Sequence, residues 1–184
     1  MEDETEQRDQ PTPRMYAWAR NSAAYRLGRQ MLTEKQLFDA ISRKAREKFE
    51  DIGVAQVELL AAAAVTFAYD NGALNDQAYA EIKTRSAMRG GKSKRAIAQK
   101  LSEKGVARDA VAAAVAEADD LFAAVVLARK RAFGPFRKAD LDEKRTTKEL
   151  SAFARGGFSF ELGKRIFAMS REEAEDILMA GRSL

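Results

Sequence analysis

The sequence predicts an all-α protein in which tandem three-helix units, three repeats in all, form an elongated, curved helical body. No segment shows the alternation of apolar and polar residues that is typical of a half-buried strand. The chain contains three prolines, at positions 11, 13 and 135, so no proline forces a break between Arg14 and Gly134. Serine, threonine and glycine recur at spacings that suit the starts and ends of short helices.

On this pattern the chain divides into a tail and three units. Residues 1–14 hold five acids and two bases and are expected to be a disordered acidic tail. The first three-helix unit is expected at 15–74, the second at 75–118 and the third at 119–184. Eight or nine helices are predicted in total.

Helix boundaries follow from capping chemistry. A serine or threonine followed three residues later by Glu or Gln fits a capping box, in which each side chain accepts a hydrogen bond from the other residue's backbone N–H. Such boxes are predicted to begin at Thr33, Thr146 and Ser170. Further N-cap candidates are Asn75, Ser93 and Ser159, and helix ends are expected at Gly72, Gly90, Gly105 and Gly134.

One pattern occurs twice along the chain and a third time in a looser form. Thr33 and Ser93 are each followed by apolar residues four and eight positions later and by a lysine eleven positions later. The looser copy consists of Thr146, Leu150, Phe153 and Arg155 before the glycines at 156 and 157. Each copy is expected to be the middle helix of one unit, with Ile97 and Leu101 buried in the second, since stacked units bury one face against the next. Core positions are also expected for Phe133, Phe136, Phe158, Phe160 and Phe167.

Residue types that are missing exclude several classes of function. The chain has no cysteine and no histidine, so it lacks disulfides, a thiolate nucleophile, a zinc ribbon and the commonest general base. The acids that follow Ser170 fit the first turn of a helix better than a catalytic or metal site. We therefore expect no enzyme activity, no cofactor and no bound metal.

The apolar segments are too short to indicate a membrane protein. No run approaches eighteen apolar residues, and the acidic N-terminus lacks the basic start and apolar centre of a secretory signal. The sequence therefore favours a cytoplasmic protein without membrane contact.

The segment GGKS at residues 90–93 is similar to the end of a phosphate-binding loop. That loop requires a glycine at position 86, which is Ser86, and a buried strand before it, whereas the preceding residues have a helical period. A nucleotide site is therefore not expected here.

Basic residues are concentrated in the middle of the chain. The formal net charge is +4, but residues 76–140 hold fourteen bases against eight acids. Such a concentration indicates an anionic partner, either nucleic acid or an acidic protein surface. The residues predicted to contact it are Arg89, Lys92, Lys94, Arg95, Lys100, Lys104, Arg129, Lys130 and Arg131.

The order of several short motifs resembles that of the RecX family of bacterial regulators of RecA. LNDQAYA is followed by RGGKSKRAIAQKLSEKGV, then by LARKRAFG and finally by FARGGFSFELGKRIF, and the resemblance extends over about residues 18–170. The matching residues are Leu74, Asp76, Tyr79, Ala80, Gly90, Ile97, Leu101, Lys104, Gly105, Val106, Gly157, Phe158 and Ser159. Asn75 replaces the usual first acid of its motif, and Gly156 stands where arginine is usual.

The resemblance implies a non-catalytic modulator that binds RecA and its filament on single-stranded DNA. Such a protein would restrain ATP hydrolysis, filament growth and strand exchange by RecA, and so would damp recombination and the SOS response. A monomer is expected, with weak direct contact to DNA.

Two other functions also fit these residues. A stand-alone DNA-binding protein would use the same basic face, and it should bind DNA tightly without RecA and with a steep dependence on salt. A helical-repeat adaptor for another acidic partner is the second alternative. Co-sedimentation with RecA would separate these readings.

Overall fold

The structure, a computed structural model, describes residues 10–138 and 140–181. In these residues the helices are connected by turns and loops, and no strand is present. The helices are α1 (Pro13–Leu27), α2 (Glu34–Lys48), α3 (Val54–Asp70), α4 (Asp76–Arg89), α5 (Lys94–Glu103), α6 (Arg108–Ala116), α7 (Asp120–Arg131), α8 (Glu143–Arg155), α9 (Phe160–Ala168) and α10 (Arg171–Ala180), with a 3-10 turn at Gly134–Phe136. The all-α prediction is confirmed. These ten helices exceed the eight or nine predicted, because 119–184 contains four rather than three. None of the described helices is both long and apolar enough to cross a lipid bilayer.

The chain enters its first helix earlier than predicted. The side chain of Thr12 accepts a hydrogen bond from Met15 N–H at 3.3 Å, and Pro13 occupies the first turn, where its missing N–H is not needed. Gln10 is also held, because its carbonyl accepts a hydrogen bond from Gln56 Nε2 at 3.2 Å. The predicted end of the tail at residue 14 is therefore wrong, and the rest of that tail, residues 1–9, lies outside the described residues.

Contacts divide the described residues into two compact units. One contains the residues up to Tyr79 together with Lys104–Ala107, and the other contains Ala80–Glu103 and the residues from Arg108 onward. The division of the chain into three units at residues 74 and 118 stays a prediction.

The core of the first unit lies between α1, α2 and α3. Both α1 and α2 pack against α3, which presents alanines that allow close approach of the helices. Leu37 and Ile41 of α2 are fully buried against Leu60 of α3 and its neighbours. Trp18 of α1 packs its ring edge-to-face on Phe49 at 5.0 Å between centroids.

Helix α7 is central to the core of the second unit. It packs against α9 and α10, and α9 packs against α8. Phe153, Ile166 and Val125 are among the large side chains that are fully buried here. In α5 of the same unit, Ile97 and Leu101 are each 3% exposed, as predicted.

The aromatic residues of the C-terminal region are less uniformly buried than predicted. Phe158 is buried, and Phe133, Phe136 and Phe167 are half-buried. Phe160 is 55% exposed, and Lys164 Nζ lies 4.6 Å from the centroid of its ring. The prediction of a core position for Phe160 is wrong, because it opens α9 on the solvent side of that helix.

Most predicted helix starts are confirmed. Side-chain oxygens cap the helices at Thr33, Asn75, Ser93, Ser159 and Ser170. The start at Thr146 is wrong, because α8 begins one turn earlier and Asp142 accepts the hydrogen bond from Arg145 N–H at 2.6 Å. The helix end at Gly134 is also wrong, because α7 already ends before Ala132, which has a left-handed φ of 52°.

Thr33 forms hydrogen bonds in two directions at the start of α2. Its Oγ1 accepts a hydrogen bond from Gln36 N–H at 3.1 Å, and the hydroxyl donates to the carbonyl of Lys104 at 2.6 Å. Gly105 follows this carbonyl with a φ of +83°, a left-handed value that favours glycine. The hydroxyl thus caps one helix and satisfies a carbonyl at the end of another.

Ser93 repeats this arrangement in the second unit. Its Oγ accepts a hydrogen bond from Ala96 N–H at 3.2 Å and donates to the carbonyl of Gly156 at 2.7 Å. Gly157 follows with a φ of +84°, and a Cβ there would lie 2.6 Å from Ser93 Oγ. The same pair of hydrogen bonds, one to a helix N–H and one to the carbonyl before a left-handed glycine, therefore occurs at the starts of α2 and α5. This recurrence is structural evidence for a helical repeat.

A buried ion pair attaches the segment after α7 to α8. Arg137 donates from Nε and Nη2 to the two carboxylate oxygens of Glu149, and Gly134 N–H donates to Oε2 at 2.9 Å. The Glu149 side chain is fully buried and that of Arg137 is 16% exposed. Burial acts to raise the pKa of Glu149, but the hydrogen bonds from Arg137 and Gly134 outweigh it and hold that pKa below its usual range.

Candidate partner-binding groove

The turn between α4 and α5 lies directly on α7. Gly91 has a φ of +78°, and a Cβ at this position would lie 3.0 Å from Leu127 N and 3.3 Å from the Ala123 carbonyl. A glycine is therefore needed for both the backbone conformation and the close approach. This contact places the basic turn beside the C-terminal end of α7, which carries Arg129, Lys130 and Arg131.

Three of the nine predicted contact residues come together at this point. Arg89, Arg129 and Lys130 line a groove of about 450 Å³. Lys130 Nζ donates to the Gly90 carbonyl at 3.0 Å, which ties the end of α7 to the turn. We call this the basic groove.

The floor of the basic groove is apolar. Phe122 and Val126 of α7 and Leu178 of α10 line it, and each is less than a tenth exposed. These apolar residues were not predicted from the sequence, although the apolar run 121–128 directly precedes the basic residues of α7. A groove with a cationic rim and an apolar floor suits a partner surface that offers both acidic and apolar side chains.

A second groove of about 250 Å³ adjoins the first and shares Arg129 and Leu178 with it. It adds Met179, which is 62% exposed, and Arg171, a cation that the sequence analysis also missed. Arg171 Nε lies 2.9 Å from an oxygen of Glu175, which lines the same groove. The cationic character is therefore strongest around Arg89 and Arg129.

Two other predicted contact residues are engaged within the protein. Lys94 is half-buried, its Nζ donates to the Ala116 carbonyl at 3.1 Å, and its backbone N–H donates to Asp120 Oδ1 at 2.6 Å. Lys100 is exposed and lies 3.0 Å from Glu103 on the same helix. Lys94 thus stabilises the fold, and the charge of Lys100 is locally balanced.

The remaining predicted residues are exposed or half-buried but do not line the basic groove. Lys92, Arg95 and Arg131 are exposed. Lys104 is half-buried and belongs to the first unit, where its carbonyl accepts the hydrogen bond from Thr33. Lys92 is nonetheless only three residues from Arg89, in the turn that Lys130 contacts.

Groups of acidic side chains that could hold a metal ion are absent from residues 10–138 and 140–181. The residues that line the basic groove are three cations and three buried apolar side chains.

Comparison with known proteins identifies relatives over most of the chain. A family model described as "RecX, second three-helix domain" matches residues 75–115. A regulatory protein RecX of Agrobacterium fabrum is 66% identical over 169 residues, 92% of each chain. A regulatory protein RecX of Myxococcus xanthus is 36% identical over 173 residues, 89% of this chain and 92% of the relative. The crystal structure of RecX from Lactobacillus salivarius has the same fold, with a TM-score of 0.64 and 21% identity over 89% of this chain and 99% of that one.

Proposed function

This chain belongs to the RecX family of regulatory proteins, and from that premise we propose that it regulates RecA without catalysing a reaction itself. It binds RecA and the RecA filament on single-stranded DNA and inhibits ATP hydrolysis, filament growth and strand exchange. In the cell it would act as a monomer in the cytoplasm and limit recombination and the SOS response.

The basic groove is the observation that links this proposal to particular residues. Arg89 and Arg129 are exposed at its rim, while Phe122, Val126 and Leu178 provide apolar surface below them. Apolar contacts supply most of the affinity of a protein interface, and rim charges govern the association rate and the salt dependence. A RecA surface with acidic residues around an apolar side chain would satisfy both parts of the groove.

The test is the inhibition of RecA ATP hydrolysis on single-stranded DNA by full-length variants. Arg89→Glu/Arg129→Glu should raise the concentration needed for half-inhibition by about tenfold or more, since charge reversal at a rim slows association. Lys130 and Lys94 are left intact because both hold the fold. The matched control is Lys144→Glu/Lys148→Glu, which reverses two exposed charges in α8.

Equal inhibition by the two folded double variants would contradict the role of the basic groove. Co-sedimentation with RecA filaments, compared with DNA alone, separates the proposed function from a stand-alone DNA-binding protein. Retention of the chain on DNA without RecA, and no additional retention with it, would contradict regulation through RecA.

A further inference from the structure

A second cationic surface lies on the first unit, outside the region that the charge count singled out. Residues 10–33 contain four arginines and no acid, and α1 occupies most of this segment. Two adjoining grooves of about 480 and 450 Å³ share Tyr25 and Arg26 of α1. Arg43 and Lys44 of α2 line one groove, and Arg29 lines the other.

The positive charge of this surface is only partly compensated. Of the described residues that line the two grooves, Glu47 is the carboxylate, and it lies 2.8 Å from Lys44. The hydrogen bond and charge of Lys44, followed by the charges of Arg43 and Arg26, lower the pKa of Glu47. Three cations therefore act on one carboxylate. The Nε of Arg26 is buried and has no hydrogen-bond acceptor among the described residues.

An exposed aromatic ring lies among these cations. Tyr25 is 64% exposed, and its Oη accepts a hydrogen bond from Arg29 Nη1 at 2.6 Å while the guanidinium carbon of Arg29 lies 5.5 Å from the ring centroid. The ring is thereby held at the protein surface beside a cation. Trp18, half-buried against Phe49, lines the same groove.

We propose that this surface binds single-stranded nucleic acid, with the phosphates at Arg26, Arg29, Arg43 and Lys44 and a base stacked on Tyr25. Exposed aromatic rings between cations are the arrangement by which proteins bind single strands without reading sequence. In a duplex the bases are already stacked, so Tyr25 would contribute little to binding one. An acidic amphipathic peptide is a poorer fit, since the described lining residues include no aliphatic side chain.

The surface is independent of the basic groove, which belongs to the second unit. A chain with both surfaces could contact a regulated protein through one and the nucleic acid through the other. Failure of one surface in experiment therefore leaves the other untouched.

The experiment uses the full chain, without RecA, and an oligothymidylate of about 15 nucleotides. Trp18 is the only tryptophan in the sequence and lines the groove, so its fluorescence should change on titration. Arg29→Glu/Arg43→Glu should weaken binding by at least about tenfold and reduce the slope of log K against log salt by about 1.4, since two phosphate contacts are lost. Lys144→Glu/Lys148→Glu, which makes the same change in net charge, should bind as wild type.

Stacking is tested separately at Tyr25. Tyr25→Ala should weaken binding about fivefold or more, whereas Tyr25→Phe, which keeps the ring, should bind within about twofold of wild type. The proposal is overturned if wild type does not bind the oligomer, or if the Arg29/Arg43 variant binds it normally. It is also overturned if that variant loses binding to RecA or to polyglutamate but retains oligothymidylate, because the surface would then be a site for acidic protein.

Discussion

Arg137 and Glu149 form a two-fold hydrogen-bonded ion pair, with distances of 2.9 Å from Nε to Oε1 and 2.7 Å from Nη2 to Oε2. Glu149→Gln should lower the free energy of unfolding by about 3–5 kcal/mol, because it leaves a largely buried guanidinium without its counter-charge. Urea unfolding at neutral pH measures this loss. Arg137→Met/Glu149→Gln, which also removes the unpaired cation and keeps an amide oxygen to accept from Gly134 N–H, should cost less than Glu149→Gln alone. A double variant less stable than the single one would contradict this account.

Acid should remove the contribution of Glu149 in wild type. The folded-state pKa of this carboxyl is lowered from an ordinary value of 4.5, so its stabilising effect is fully present above that pH and is lost as the pH falls through the folded value. As the pH falls below 4.5, the melting temperature of wild type should therefore decrease more steeply than that of Glu149→Gln. Parallel curves for the two proteins would show that another group governs acid unfolding.

The hydroxyl of Ser93 should be more important than an ordinary helix cap. Ser93 is fully buried, and Ser93→Ala removes the side-chain partner of both Ala96 N–H and the Gly156 carbonyl, which are themselves half-buried. We expect a loss of about 2–3 kcal/mol. Ser159→Ala is the matched control, since Ser159 caps α9 through Leu162 N–H at an exposed position, and it should cost about 1 kcal/mol. Equal losses in denaturant unfolding would mean that the bond to Gly156 contributes nothing.

The Tyr69 hydroxyl should lose its proton at a higher pH than that of a free tyrosine. Burial, the hydrogen bond that its hydroxyl donates to Glu34 and the charges of Glu34 and Asp76 raise the pKa of Tyr69 to about 12. The stabilisation from this raised pKa is present below pH 10.0, the ordinary value, and is lost as the pH rises toward 12. In an absorbance titration, Tyr69→Phe should lack a phenolate step near pH 12. If Tyr69→Phe instead lacks a phenolate step near pH 10, the raised pKa of Tyr69 is contradicted.

The sequence predicted those features of the fold that depend on neighbouring residues. Thr33 and Ser93 cap helices because a hydroxyl lies three residues before a free N–H, and Ile97 and Leu101 are buried because they lie one turn apart on one helix face. Both conditions can be read from local spacing.

The predicted start of α8 at Thr146 is wrong for a reason that lies outside the local sequence. Glu149 and Ile97 occupy the same position relative to a glycine with left-handed φ, which follows each of them by eight residues. Both are buried, but Glu149 is charged and Ile97 is apolar. Glu149 is buried because Arg137 and Gly134, from the segment before α8, meet its carboxylate. The capping box predicted for Thr146 and Glu149 is wrong because no local pattern shows that Glu149 has a partner in the preceding segment.

For the candidate sites, counting charges by region had a similar limit. The count located Arg89, Arg129 and Lys130 but could not show that Lys94 is bonded to the Ala116 carbonyl. Residues 15–75 hold eight bases and seven acids, so a count over that whole region shows almost no excess of positive charge. A count by helix would have shown that α1 contains arginines and no acid.

The hydrogen bonds of the Thr33 and Ser93 hydroxyls have a consequence for how firmly the start of each helix is attached to the fold. A hydroxyl both accepts and donates, so each can start its own helix and also hold the end of another. Asp142, which starts α8, accepts the hydrogen bond from Arg145 N–H through a carboxylate oxygen, and this is the capping half of what the two hydroxyls do. One hydroxyl therefore fastens two chain segments at the start of α2 and of α5, whereas the Asp142 cap serves its own helix.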